Sequence, residues 1–173
     1  MNDIKAQIEK EANRIEEDAT YSSKSHFNAG IGWAHYHYIL GIVAAVASAV
    51  SGITGLLDDM TDWKNCVGGL AGLLAAIFMA VLTFVKPDEH AISHKNAGGL
   101  FLELKNQVRI FRNIELPVLD EQTSTKKLKE LDTRRNELNQ TSPIPPKHSF
   151  HKARKGIEQG EATHAIDRRR EDV

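Results

Sequence analysis

Two uninterrupted apolar blocks constrain this chain more than anything else in it. Tyr38–Leu57 (YILGIVAAVASAVSGITGLL) and Cys66–Val85 (CVGGLAGLLAAIFMAVLTFV) each hold 20 residues and none of Asp, Glu, Lys, Arg, His, Asn, Gln or Pro. At about 1.5 Å per residue, a helix of that length reaches about 30 Å, the thickness of a bilayer's hydrocarbon core. Neither block carries the polar stripe of a helix lying on a soluble core. The expectation is two transmembrane helices, 38–57 and 66–85. Trp33, Tyr36 and Tyr38 sit at the start of the first and Trp63 just before the second, where amphipathic aromatics favour the headgroup zone.

The composition as a whole conceals this. The chain of 173 residues is 26% charged with net charge -1, figures typical of a soluble domain. Yet all 22 basic and 23 acidic residues lie outside the two blocks. The rest of the chain is therefore about one-third charged, above the roughly 25% of an ordinary domain. A strongly polar protein carrying two apolar rods is not the profile of an ordinary enzyme. Near-neutral total charge argues against a nucleic-acid partner. The single cysteine, Cys66, excludes an internal disulfide framework and a cysteine-based zinc site.

The segment between the blocks, 58–65 (DDMTDWKN), is an acidic turn that permits only a tight reversal, so the two spans form a hairpin with both chain ends on one side. Lys86, Lys95 and Lys105 follow the second span, whereas Lys24 stands alone before the first. The positive-inside rule then places both termini in the cytoplasm, with a multi-pass location in the inner membrane. The first 37 residues are mixed-charge and lack a secretory signal's apolar core and cleavage site.

Outside the blocks every periodic stretch reads as helix, and the expected fold class is all-α: a two-helix transmembrane hairpin with a cytoplasmic helical bundle. Residues 1–37 form an N-terminal amphipathic helix with Ile4, Ile8, Ala12, Ile15 and Ala19 at helical spacing. Residues 86–140 form a helical region. Pro87-Asp88-Glu89 suits a helix start, and a helix over about 88–114 carries a seam of His90, His94, Ala97, Phe101, Leu104, Val108 and Phe111, in steps of 4 and 3. Its partner is the Ile4–Ala19 stripe or a second copy of the chain. Pro117 ends it. A further helix is expected over about 124–139, with Leu128, Leu131 and Leu138 on one face. Residues 141–173 comprise a stiff linker, Thr141–Pro146, and a charged helix over about 147–170 ending at Arg168–Arg170.

No motif carries catalysis: there is no phosphate-binding loop, nucleophile elbow or H-E-x-x-H. The chain is read as a non-enzyme that needs no cofactor. Gly68, Gly72, Ala76 and Ala80 instead recur every four residues as a small-residue ridge for helix packing, and Gly41, Ala45 and Ala49 do the same in the first block. Such ridges predict packing within the hairpin and between hairpins, hence a homo-oligomer in the lipid bilayer. Ala44, Ser48, Ser51, Gly55 and Asp58 follow one heptad-like stripe and are candidates to line a narrow pore, with Asp58 or Asp59 as an acidic ring favouring cations. The same stripe equally suits a packing face. His26, His90 and His94 are weak metal candidates, because no fourth ligand is pinned by spacing; polar packing is the plainer role.

The whole layout resembles the SLATT domain family of two-transmembrane effectors in bacterial nucleotide-signalling and other conflict systems. The resemblance lies in Glu17-Asp18-Ala19-Thr20-Tyr21-Ser22-Ser23-Lys24-Ser25-His26-Phe27 before the first block and Leu40-Gly41-Ile42-Val43-Ala44-Ala45 entering it. It continues in Pro87-Asp88-Glu89-His90-Ala91 and His94-Lys95-Asn96-Ala97-Gly98 after the second, and in Lys152–Glu161 (KARKGIEQGE). It covers nearly the whole chain through order and spacing rather than one sharp motif. It implies a pore-forming membrane effector of anti-phage defence, triggered by a signal and leading to membrane depolarisation and abortive infection by cell suicide. It transfers no catalytic residue. The chain shows no nucleotide-sensing domain, so the trigger would be a separate sensor or activator protein, or a ligand of the cytoplasmic helices. Two other readings use the same residues: a non-conducting membrane-anchored scaffold that recruits a partner, and a soluble helical protein whose apolar hairpin is buried in an oligomer.

Overall fold

The computed structural model describes residues 3–56 and 62–162. Among them the structure is all-helical, with no strand. The elements are α1 (Asp3–Leu56), α2 (Asp62–Val85), α3 (Pro87–Ile110), a π-helical turn (Phe111–Glu115), α4 (Glu121–Thr141) and α5 (Lys147–Glu158). Two stretches, one in α1 and one beginning at Asp62, are long and apolar enough to cross a membrane, with mean hydropathy of 2.1 and 2.3 in their richest windows. Only 6% and 11% of those windows is buried.

The chain divides into two compact units, Met1–Gly30 with Ser93–Val173, and Ile31–Ile92. The first is a helical bundle. Its core joins Ile8, Ala12, Ile15 and Ala19 of α1 to Phe101, Leu104 and Val108 of α3, with Phe111, Leu116, Leu131 and Leu138. The N-terminal stripe therefore finds its partner within the same chain. Ion pairs from Arg112 to Glu16 (3.0 Å) and Arg135 to Asp18 (3.0 Å) rim this core. The first pair is half-buried on both sides; the second, with Asp18 exposed, contributes at most about 1 kcal/mol.

Element ends have local causes. At Lys86 the backbone turns left-handed (φ 48°), and Pro87, buried, opens α3 as its first residue, where a missing N–H costs nothing. Pro117 has no N–H, and its ring would clash with the carbonyl four residues back, so α3 cannot continue as an α-helix. It widens first: the Leu116 N–H reaches the Phe111 carbonyl at 2.8 Å, five residues back. That wider turn brings Phe111 and Leu116, about 140° apart in an α-helix, together into the core.

Several helix boundaries differ from those expected, and α2 already begins at Asp62, inside the expected turn 58–65. The α4 helix begins three residues early, because Asp120 caps it by accepting from the Thr123 N–H at 2.9 Å. The α5 helix stops at Glu158 rather than near 170, since Gly160 adopts φ 80° and the Glu161 N–H returns to the Gly156 carbonyl at 3.0 Å. Arg168–Arg170 lie outside the described residues. The N-terminal helix and the first apolar block form one continuous helix of 54 residues.

Candidate functional site

The unit Ile31–Ile92 is built on the hairpin of α1 and α2. Thr54 meets Gly68 and Ser51 meets Gly72. The first member falls along the chain as the second rises, so the helices run antiparallel. The approach is close. A Cβ on Gly68 would collide with the Thr54 hydroxyl, and one on Gly72 would lie 2.8 Å from the Ser51 Oγ. These two glycines have a specific reason to lack a side chain. The same register sets Ala47 near Ala75 and Ala44 near Phe78. Ala44 and Ala75 are buried and Ala47 and Phe78 half-buried.

Thr54 and Thr83 of the hairpin satisfy their hydroxyls locally. The Thr54 hydroxyl donates to the Ser51 carbonyl (2.9 Å) and the Thr83 hydroxyl to the Met79 carbonyl (2.8 Å). Back-bonding of this kind lets a hydroxyl sit on an apolar helix without a water or a partner. Large apolar side chains point away from the seam: Ile42, Val46, Ile53, Leu70, Leu73 and Phe84 are all exposed.

Of the predicted packing ridge, Gly68 and Gly72 meet α1, whereas Ala76 and Ala80 are exposed. The reason is the helical repeat. A step of four residues advances 400°, so a four-residue ridge drifts about 40° per step and is about 120° off the seam by Ala80. The observed seam on α2 (Gly68, Gly72, Ala75, Phe78, Leu82) mixes steps of four and three, two of each, and stays in register. Ala75 is the seam residue that the ridge pattern missed, and heptad counting from Gly68 finds it. Of the pore-lining candidates, Ala44 and Ser51 lie on the α1–α2 seam, and Ser48 and Gly55 lie on an open face. Asp58 and Asp59 lie outside the described residues.

That open face of α1 is itself small. Ala45, Ser48, Gly52 and Gly55 are exposed, and a Cβ added at Gly52 or Gly55 would meet nothing within 4 Å. Gly69 of α2 is equally open. Among the described residues, none fills the space of the missing side chains at these three glycines.

Within the same unit the Trp33 ring stacks on His90 at 4.7 Å and lies 6.2 Å from Tyr36. His90 thus has an aromatic partner and belongs to the seam only by spacing: it is exposed, while the remaining seam positions from His94 to Phe111 are buried.

In the bundle, His26 of α1 and His94 of α3 are both buried, with Nδ1 atoms 3.0 Å apart. The ring centroids are 5.3 Å apart, so the two nitrogens lie between the rings and face one another. Phe101 stacks on the other side of His26 at 5.5 Å and 15°. Burial first, and the neighbouring His94 second, push the His26 pKa down from 6.5 to about 4. Facing nitrogens suit an N–H···N hydrogen bond better than a shared metal, whose ligands converge on a third point. Among the described residues no group of three or more His, Cys, Asp or Glu side chains is placed to hold a metal ion.

The chain matches no family model, no curated protein and no solved structure. The functional reading therefore rests on the sequence pattern, the hairpin and the bundle.

Proposed function

We propose that this protein is a pore-forming membrane effector of a bacterial anti-phage system. It acts as a homo-oligomer in the inner membrane with both termini cytoplasmic, depolarising the cell when a trigger opens it. The observation that carries the reading is the uncovered second face of the hairpin. Two helices pair over a narrow seam, and almost all their remaining apolar surface is left open. A core helix of a soluble protein would be buried on that surface. Lipid accounts for the large side chains, and a second copy accounts for the small ones at Ala45, Ser48, Gly52 and Gly55. A helix gains close contact from glycine only where another backbone approaches.

The resemblance to the SLATT family supports the same assignment, in which the bundle holds the assembly and answers the trigger while the spans conduct. Resting closure fits a constriction of small apolar residues, which excludes ions by dewetting. The scaffold reading shares the membrane hairpin and differs in passing no ions.

The deciding experiment is flux. The protein is purified in detergent, its mass determined, and the oligomer placed in liposomes for dye release and single-channel recording. Discrete currents from a defined oligomer are expected, and Gly52→Leu should abolish both oligomer and current while the protein still inserts. An inserted oligomer that stays silent in the presence of its natural activator would overturn the pore in favour of the scaffold. A protein that leaves the membrane without detergent would overturn both.

A further inference from the structure

A second feature of the bundle is independent of whether the protein conducts. His26 and His94 face each other through the same ring atom, buried between α1 and α3 where these helices come close. One turn earlier on α1, the buried Ser23 hydroxyl donates to the Gly98 carbonyl at 2.9 Å. Phe27 lies so close to Gly98 that a Cβ there would sit 3.1 Å from its ring. The two histidines thus lie where any widening between α1 and α3 must be felt.

The chemistry of the contact is set by proton count. A neutral imidazole has one N–H and one acceptor nitrogen. With both rings neutral, one Nδ1–H donates to the other Nδ1. One added proton goes to the far nitrogen of the donor ring and gives a charge-assisted bond, which holds. A second proton occupies the accepting Nδ1, sets two N–H groups and two positive charges face to face, and leaves no acceptor. The cavity of about 140 Å³ beside His26 is lined by neutral residues, among them Ser22, Ser25, Asn139, Ser142 and Phe150. The charges on the surrounding elements are spent elsewhere or exposed: Lys24 of α1 on Glu161, Arg135 of α4 on Asp18, with Lys95 of α3 and His148 and His151 of α5 in solvent.

The cavity also gives the proton a way in. Ser25 lines it, is 1% exposed, and its Oγ has no hydrogen-bond partner in the protein. The pocket opens to solvent past the exposed Ile144, so water can reach the unmet hydroxyl and relay protons to the adjacent imidazole.

We propose that His26 and His94 form a proton-operated latch that ties α1 to α3 while the pair is neutral or singly protonated and releases them when both rings are charged. At neutral pH the latch is shut. Because the folded His26 resists protonation and the released one does not, acid favours release. The stabilising effect is complete above pH 6.5 and is lost as pH falls from 6.5 to about 4. The opening equilibrium should rise about tenfold per pH unit across that window and level off below it.

The test uses the full chain in detergent or nanodiscs, with ¹⁵N-histidine labelling and amide exchange followed from pH 8 to 4. The latch predicts that near pH 7.5 one of the two rings carries its proton on Nδ1 and the other on Nε2. It predicts that the two rings do not both titrate near 6.5. After correction for intrinsic rates, exchange in 22–29 and 94–101 should accelerate about tenfold per pH unit below 6.5. In His94→Asn that acceleration should be reduced or lost. Independent titration of both rings near 6.5, a pH-independent corrected exchange rate, or an unaltered profile in His94→Asn would overturn it. Should the variant fail to fold, the tautomers and titration of the unaltered protein decide alone. Stoichiometric zinc that perturbs both rings at pH 7 would overturn it in favour of a metal site.

Discussion

In the first half of α1 the inward positions are Ile8, Ala12, Ile15 and Ala19, set against Phe101, Leu104, Val108 and Phe111, and the outward positions are charged. In its second half the inward positions are Ala44, Ala47, Ser51 and Thr54, the last two set against Gly72 and Gly68, and the outward positions are Ile42, Val46 and Ile53. Along a single helix the large side chains change from the inside to the outside. In water, burying large apolar groups drives packing, at roughly 25 cal/mol per Å². In lipid there is no such drive between helices, and contact is won by close approach over small residues. The inversion is what the proposed membrane hairpin requires.

The largest effect should come from truncating the bundle core. Phe101→Ala or Leu104→Ala removes a side chain that is 2% or 1% exposed and should cost about 3–4 kcal/mol. In the hairpin, Phe84→Ala removes an 86% exposed ring and should cost well under 1 kcal/mol within the protein. Thermal or denaturant unfolding in detergent reads both, and equal losses would break the comparison.

Next comes the contrast between the two kinds of glycine. Gly68→Leu forces a side chain into Thr54 and should open the hairpin, at a cost of about 1–3 kcal/mol. Gly52→Leu enters open space and should leave the hairpin intact while disrupting any contact between copies. Crosslinking between cysteines at 54 and 68, with Cys66→Ser as background, reports the hairpin. Native mass in detergent reports the oligomer.

The smallest effect concerns a helix end. Asp120→Ala removes the cap that accepts from the Thr123 N–H and hydroxyl, and should lower the bundle's melting midpoint by about 2–4 °C, leaving the hairpin untouched. The two Thr123 bonds also hold the Asp120 carboxyl below its usual range. Its contribution is therefore present above the ordinary carboxylate pKa and fades as pH falls through the lower folded value.

Much of the bundle was legible in advance. The α3 seam from His94 to Phe111 and the α1 stripe from Ile8 to Ala19 are dense enough in apolar residues that helical periodicity picks out their buried faces. The hairpin seam was half legible. Gly68 and Gly72 stand out, but a four-residue ridge and a 3.5-residue seam agree at only those two positions, and alanine in an apolar helix carries no sign of which face it occupies. Ser51 illustrates the ambiguity: small and polar, it fits a pore wall and a packing face equally by sequence, and only its contact with Gly72 places it. The histidine pair was legible only as two of three candidates, since His26, His90 and His94 share a pattern that fits polar packing or a metal. Its facing-nitrogen geometry was not, because ring rotation is set by Phe101 and the surrounding packing.

The sequence alone determined the all-helical class, the two apolar rods and the polar character of the rest. Those follow from hydropathy and periodicity, which act locally along the chain. Only the tertiary structure decided which small residues close the hairpin and which stand open, where α3 widens so that Phe111 and Leu116 share the core, and which atoms of His26 and His94 meet. Each of these depends on the rotation of one helix against another, and that angle is set by the fit of side chains far apart in sequence.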